Sequence, residues 1–428
     1  MNRVSTDMMN NDMQFWLRRT EGKLSSAESG LATQNRLQNL RDDPLGAARA
    51  VRYDSALYRL QRFEKNADYA QDQYKLSEGY ARQALDITQR LREIAVQGAN
   101  GVYTKEDQKY MAAEVDELMG ELVSLGNSRG PDGSYIFAGA KTGTEPFRVV
   151  MGTAPGAGKE AITGVQYLGD IGGAAAETGT SSSVPLGQPG SDVFWAENQE
   201  VISGYDARDW RARSDSTIAI DGVKVELKSG DTVYALAAKI NESGAAVKAT
   251  IDPRSFSLNL ATTLPHQIRL EDLAGSASGG TGAAAAKAGA KPLQELGIIS
   301  AGGKAPENYA PTARVSGGSL FDVAIRLRDS LNRGDVLETG GLALAGLDSG
   351  ITNLNRRITE LGARSERLDA VKARLDREIP DATAQLSRET DLDLSKAITD
   401  LKMLEYAQKT SLGVAGKLFP QTLLDFLR

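Results

Sequence analysis

Residues 60–97 read LQRFEKNADYAQDQYKLSEGYARQALDITQRLREIAVQ. Within them Leu60, Phe63, Ala67, Ala70, Tyr74, Ser77, Ala81, Ala84, Thr88, Leu91 and Ala95 recur with alternating steps of three and four. A sustained period of about 3.5 residues marks helices that pack side by side along their length. Far downstream, Ile351, Leu354, Ile358, Leu361, Leu368, Leu375 and Ile379 keep the same rhythm. Two such segments at opposite ends of the chain predict one rod closed by both, with the middle looping out as a separate body. That layout suits a structural subunit better than an enzyme.

Working outward from residues 60–97, Asp42-Asp43-Pro44 supplies a start signal. An Asp accepts the first free amide protons of a helix, and Pro suits its first turn. The helix predicted from about Pro44 to Gln97 would span roughly 80 Å at ~1.5 Å per residue. Gly98-Ala99-Asn100-Gly101 breaks it. Thr104, with Asp107 three residues on, begins another helix carrying Met111, Val115, Leu118, Leu122 and Leu125, so two antiparallel helices are expected. Arg129-Gly130-Pro131-Asp132-Gly133 then turns the chain into a short apolar strand, Tyr135-Ile136-Phe137.

Toward the N-terminus, residues 6–39 read as a helix whose narrow stripe is Met13, Leu17, Leu24 and Leu31. Toward the C-terminus, helix resumes near Leu320, Pro380 interrupts the heptads, and a last amphipathic segment uses Leu394, Ile398, Leu401, Leu404 and Leu412. It runs almost to Leu423-Leu424-Asp425-Phe426-Leu427-Arg428. A narrow stripe does not hold a lone helix, so each end needs partners.

Between about 150 and 315 the heptads vanish. Ile218 and Ile220 alternate with polar residues, Asp221-Gly222 follows, and Val223, Val225 and Leu227 alternate again, which is a hairpin signal. Asp231 is positioned to cap a short helix buried through Val233, Leu236, Ala237 and Ile240. Val247-Ala249-Ile251, Phe256-Leu258-Leu260 and Ile268-Leu270 complete an expected α+β unit. Gly275–Lys291, rich in Gly, Ala and Ser, reads as a flexible loop.

Composition narrows the function. The 428 residues hold 50 Lys and Arg against 56 Asp and Glu, a net charge of -6. No half is strongly basic, so a nucleic-acid partner is not indicated. Cysteine is absent and there is one histidine, His266. Disulfides and thiolate chemistry are thereby excluded, and the commonest metal ligand and general base is nearly missing. No catalytic, cofactor or metal residue is expected. His266 is read as a partly exposed loop residue with no acid spaced to meet it. Gly158-Lys159 lacks the flanking glycine and hydroxyl of a phosphate loop, with Thr153 and Glu160 in their places. Arg333-Gly334-Asp335 reads as a helix-end turn. No stretch approaches the ~20 apolar residues of a membrane span, and the opening Met1–Asp7 lacks the apolar core of a secretory signal.

At this point the ends resemble a known family. Arg3-Val4-Ser5-Thr6 with Met8-Met9, Arg41-Asp42-Asp43-Pro44 with Gly46-Ala47-Ala48, and Arg92-Glu93-Ile94-Ala95-Val96-Gln97 resemble segments of bacterial flagellar hook-associated proteins of the hook–filament junction (hook-associated protein 3), and the last is shared with flagellin. Gly133–Gly139 (Gly-Ser-Tyr-Ile-Phe-Ala-Gly), followed by Glu145-Pro146-Phe147, resembles the junction proteins rather than flagellin. Tyr167–Asp170 and Pro189–Phe194 resemble stretches of their middle domain, and Ile218–Leu270 is similar to a module inserted in flagellins and hook-associated proteins. Phe321-Asp322, Leu327-Arg328-Asp329, Leu361–Arg364 and Leu368-Asp369 complete the likeness.

The resemblance implies an α+β, flagellin-like fold: long N- and C-terminal helices forming a coiled-coil rod with a β-rich middle inserted between them. The expected divisions are an axial helix over 1–43 packing with 385–428, rod segments over 44–150 and 316–384, and an outer domain over 151–315 that contains the module at 214–273. It implies a structural axial component of the flagellum, with copies of itself forming a short ring. Its neighbours would be another hook-associated protein and flagellin, and an export chaperone would accompany it. The place would be the flagellum, outside the cell, or in the periplasm if the flagellum is internal. Leu17, Leu24, Leu31, Ile398, Leu401 and Leu404 would carry assembly; Leu60, Phe63, Leu91, Ile358, Leu361 and Leu375 would form the rod core. Two other readings stay open: a flagellin filament subunit, and a secreted carbohydrate-active enzyme on a coiled-coil stalk. The latter needs convergent carboxylates.

Overall fold

The computed structural model describes residues 6–38, 41, 43–154, 160–273, 291–303, 305–306 and 308–418. The expected loop 275–291 (apart from Lys291), Gly158-Lys159 and the last ten residues lie outside the described residues. In chain order the elements are α1 (Thr6–Thr33), α2 (Pro44–Gly98), α3 (Lys105–Gly126), β1 (Phe147–Thr153), β2 (Glu160–Tyr167), β3 (Ala174–Gly179), β4 (Ser182–Leu186), α4 (Gly190–Val193), β5 (Glu200–Ile202), β6 (Ser216–Ile220), β7 (Val223–Leu227), α5 (Val233–Glu242), β8 (Val247–Ile251), β9 (Leu258–Thr262), β10 (Leu270–Leu273), α6 (Pro292–Glu295), β11 (Arg314–Ser316), α7 (Leu320–Arg333), α8 (Val336–Glu338), α9 (Leu344–Thr390) and α10 (Leu394–Leu418). This is a mixed helical and sheet chain with long terminal helices and a β-rich middle, as the sequence predicts.

The chain divides into two compact units, residues 1–65 with 371–428, and residues 66–370. In the second, the heptad stripe of α2 is buried along its whole length from Ala67 to Ala95. Ala81, Ala84, Leu91 and Ala95 share one core with Val115, Met119 and Leu122 of α3, Leu327 and Leu331 of α7, and Leu347, Leu354 and Ile358 of α9. Thr104 caps α3 with a reciprocal bond to Asp107, and Ser319 caps α7 the same way with Asp322. Losing either cap hydroxyl, as in Thr104→Ala, would cost about 1 kcal/mol. Arg92 on α2 meets Asp348 on α9 at 2.5 Å. Arg328, with no exposed side-chain surface, bonds Asp116 at 3.0 Å and the Ile162 carbonyl at 2.7 Å. A buried guanidinium requires such partners to offset its lost hydration.

The same core contains an aromatic cluster in which Phe147 lies 5.3 Å from Phe194 and 4.9 Å from Phe321. The Tyr167 hydroxyl donates toward the carbonyls of Phe137 and Asp170, at 3.0 and 3.1 Å, and accepts from the Gly190 amide at 3.1 Å. Burial pushes that hydroxyl's pKa upward.

The α+β module has its own core, with Ile218, Leu236, Leu258, Leu270 and Leu293 fully buried. A three-stranded sheet has the order β10-β6-β7 and a four-stranded sheet the order β11-β5-β9-β8, with every pairing antiparallel. The β6–β7 hairpin closes at Asp221 (φ 51°) and Gly222 (φ 79°), the two positive φ angles that a type I′ turn demands. At the edge strand β8, the Asn241 amide donates to the Ala249 carbonyl at 2.9 Å and accepts from the Ala249 N–H at 2.8 Å.

Several expectations are corrected. Tyr135-Ile136-Phe137 is not a strand: Gly133 and Gly139, at φ 78° and 65°, bend the backbone on both sides, and Ile136 and Phe137 drop together into the core. Asp231 does not cap α5. Thr232 does, its hydroxyl accepting from Ala235, while Asp231 accepts from the Lys228 amide and pairs with Lys239 at 2.6 Å. Pro380, read as interrupting the heptads, lies inside α9, and the helix itself runs through it. The residue is exposed, so water can take the carbonyl that proline leaves unbonded. The first helix stops at Thr33, short of 39, because Gln34 turns left-handed at φ 57°. Strand β9 begins at Leu258, after Phe256 turns at φ 52°, and Ile268 precedes β10. His266 is buried, 7% exposed, and meets Asp221 at 3.0 Å. The sequence separation of 45 residues hides that acid from a local reading.

Candidate assembly surface

The first unit is built from the two ends of the chain. α1 packs on α10. On α1 the less exposed positions from residue 11 on are Met13, Leu17, Thr20, Leu24, Ala27, Gly30 and Leu31; on α10 they are Ala397, Leu401, Leu404, Gln408, Ser411 and Ala415. Both sets step by three and four, apart from the adjacent Gly30 and Leu31, so each forms a narrow seam. The sequence-predicted Leu17, Leu24, Leu31, Leu401 and Leu404 therefore share this seam, whereas Ile398 is 43% exposed.

The seam covers only one side of α10. Leu394, Ile398, Met403, Tyr406, Leu412 and Val414 are all exposed. At about 3.6 residues per turn they are spread around the circumference, with Tyr406 opposite the seam. They stand among exposed Lys396, Asp400, Lys402, Glu405 and Lys409, so the face away from the seam is mixed rather than purely polar. On α1, Phe15 and Trp16 are also exposed, at 60% and 57%, and pack edge to face at 5.9 Å. Met403, Tyr406, Val414, Phe15 and Trp16 escape a heptad reading because they fall off its register. Their signal is large apolar residues on an otherwise polar face.

A clamp fixes the end of α1 to the junction of α9 and α10. The Arg36 amide donates to the Thr390 carbonyl and the Leu392 amide to the Gln34 carbonyl, at 2.8 and 2.9 Å. Arg36 also bonds the Glu389 carbonyl at 2.8 Å and Asp43 at 3.1 Å. Asp43 starts α2 as predicted, accepting from the Gly46 amide at 2.9 Å. That amide bond, and then Arg36, hold its carboxyl below the usual range. A cleft of about 250 Å³, lined by Asn35, Leu37, Ala47, Ala50, Val51 and Thr390 among others, opens beside the clamp.

The rod-core residues divide between the units. Leu91, Ile358 and Leu361 are buried in the second; Phe63 and Leu375 are buried and Leu60 half-buried in the first. Among the described residues no group of His, Asp and Glu is placed to hold a metal, and no helix is long and apolar enough to cross a membrane.

The bacterial flagellin N-terminal helical region matches residues 4–142, and the flagellin hook IN motif matches residues 214–263. Flagellar hook-associated protein 3 of Escherichia coli (strain K12) is 25% identical over 204 residues, covering 48% of this chain and 60% of the relative. The match thus spans less than two thirds of that relative's length. Polar flagellin F of Vibrio parahaemolyticus is 24% identical over 417 residues, covering 96% of this chain and 91% of the relative. A crystal structure of flagellar hook-associated protein 3 from Legionella pneumophila aligns with 78% of this chain and 97% of its own, at TM-score 0.45 and 17% identity. The chain is therefore a sequence relative of flagellar hook-associated protein 3 that carries the flagellin N-terminal helical region and the flagellin hook IN motif.

Proposed function

We propose that this chain is a non-catalytic axial subunit of the bacterial flagellum that joins hook to filament. Copies would form a short ring by bundling their terminal helices around the flagellar axis. Its neighbours would be another hook-associated protein on one side and flagellin on the other. It would reach that place outside the cell by the flagellum's own export route, with a chaperone covering the ends until then. The observation that carries this reading is the set of exposed large apolar side chains spread around α10, of which α1 covers only one side. Leu17, Leu24, Leu31, Leu401 and Leu404 would hold the seam, and Ile398 with Tyr406 would meet neighbouring subunits. We also propose the division into axial helices, rod and outer domain at the boundaries given in the sequence analysis. The near full-length alignment with a polar flagellin favours a second reading, a filament subunit.

Electron microscopy of a deletion strain separates the two. Hooks that retain their other cap components but bear no filament, with flagellin shed to the medium, support the junction. A deletion that removes the bulk protein of the filament supports the second reading, and filaments of normal length and composition overturn both.

A further inference from the structure

The chain's one histidine lies in the loop between β9 and β10. Its Nδ1 is 2.7 Å from the Leu264 carbonyl oxygen and its Nε2 is 3.0 Å from Oδ2 of Asp221. A carbonyl and a carboxylate only accept hydrogen bonds, so both ring nitrogens must donate. Only the imidazolium carries a proton on each.

Asp221 is held in place for this contact. It sits at the tip of the β6–β7 hairpin, its Oδ1 accepts from the Arg269 amide at 2.9 Å, and its own amide donates to the Arg269 carbonyl at 2.9 Å. The Arg269 side chain turns away, to Asp170 and to Glu271 at 2.7 Å. From α4, Asp192 adds a second negative charge that acts on the ring. Asp192 is itself paired with Arg357 of α9 at 3.4 Å, and Arg357 with Glu360 at 3.1 Å. The ring therefore meets the Asp221 carboxylate and the Leu264 carbonyl and feels the charge of Asp192, which Arg357 partly offsets and which also acts on Arg356, while Arg269 is engaged by Asp170 and Glu271.

We propose that His266 is a proton-operated clasp, whose imidazolium ties the β6–β7 turn to the β9–β10 loop and whose neutral form releases it. Without one proton, a ring nitrogen presents a lone pair to an oxygen at hydrogen-bond distance, and Asp221 loses its counter-charge beside Asp192. Burial favours the neutral ring, but the Asp221 bond and charge, with the Leu264 carbonyl, outweigh it and hold the pKa above the ordinary 6.5. The folded value is raised, so the stabilisation is complete below 6.5 and is lost as pH rises through the folded value. The clasp is closed in mild acid and opens on the alkaline side.

The experiment uses the full chain with its histidine labelled at Cε1, which gives a single resonance. Its titration is followed alongside amide exchange across residues 214–273, corrected for the intrinsic pH dependence of exchange. The expected result is a midpoint above 6.5, a several-fold rise in exchange of the β6–β7 turn at that same midpoint, and loss of the rise in His266→Gln. In Asp221→Asn the midpoint should fall toward 6.5 or below. A wild-type midpoint at or below 6.5, or exchange that does not follow it, overturns the clasp. If His266→Gln does not fold, the wild-type coincidence and the Asp221→Asn shift decide.

Discussion

Arg36 and Glu389, 353 positions apart, are joined by a 2.8 Å bond from the guanidinium of one to the backbone carbonyl of the other. This contact ties the segment that follows α1 to the last turn of α9. Its side chain is 41% exposed, so its worth is modest, about 1 kcal/mol or less. Arg36→Ala is expected to leave the main melting transition in place and to accelerate amide exchange at residues 34–38 and 390–392. Unchanged exchange there would show that the backbone bonds alone hold the junction.

Leu361 and Tyr406 make opposite predictions. Leu361 is 1% exposed and Tyr406 75%. Leu361→Asp buries a carboxylate with no partner, which costs several kcal/mol, on the order of 3–5. It should lower the urea midpoint sharply. Tyr406→Asp should melt like the parent and fail to restore filaments to a deletion strain. Normal assembly by the second variant would remove α10's outer face from the interface.

Gly139 has φ 65°, and a Cβ there would lie 2.0 Å from the Asp170 carbonyl oxygen. Backbone cannot yield as the end of a side chain can. Gly139→Ala is expected to destabilise by about 2 kcal/mol or more, from the left-handed backbone and the clash together. Gly133, with φ 78° and open space around it, is the control: alanine there meets only the conformational cost, about 1 kcal/mol. Equal melting of the two variants would argue against a close approach at Asp170.

Asp272 responds to pH in the reverse direction to most carboxylates. Burial pushes its pKa up to about 6, against the pull of the Leu293 and Gln294 amides that it caps. The folded state then binds the proton more tightly than the unfolded state at 3.8. Its contribution is absent well above pH 6, grows as pH falls through 6, and is complete below 3.8. Between pH 7 and 4 the wild-type stability, taken relative to Asp272→Asn, should rise by at most about 3 kcal/mol. A flat difference across that range would mean that Asp272 titrates normally.

The helices were the most legible part of the chain because their signals are local or periodic. The buried run from Ala67 to Ala95, the Thr104–Asp107 cap and the Asp221-Gly222 turn each depend on a few residues whose spacing fixes their geometry. What escaped depends on tertiary approach. Ile136 and Phe137 look like strand residues until two glycines bend the backbone around them. Pro380 interrupts the heptads, and its exposure lets the helix run on through it. His266 looks solitary because the turn that brings Asp221 to it is far away in sequence. The seam of the terminal helices could be read from its heptads, but the apolar residues around the rest of α10 follow no single period and gave no clear stripe.

The side chain of Asn241 occupies both backbone hydrogen-bonding groups of Ala249, at the outer edge of a four-stranded sheet. An amide in that position answers Ala249 as a neighbouring strand would, and so takes the middle of β8 out of the edge's template. In a polymer, identical modules sit at high local concentration and an open edge would invite them to merge into continuous sheet. If the chain assembles as proposed, the Asn241 plug would interrupt that edge at its centre, so that crowding alone would be less able to convert neighbours into partners.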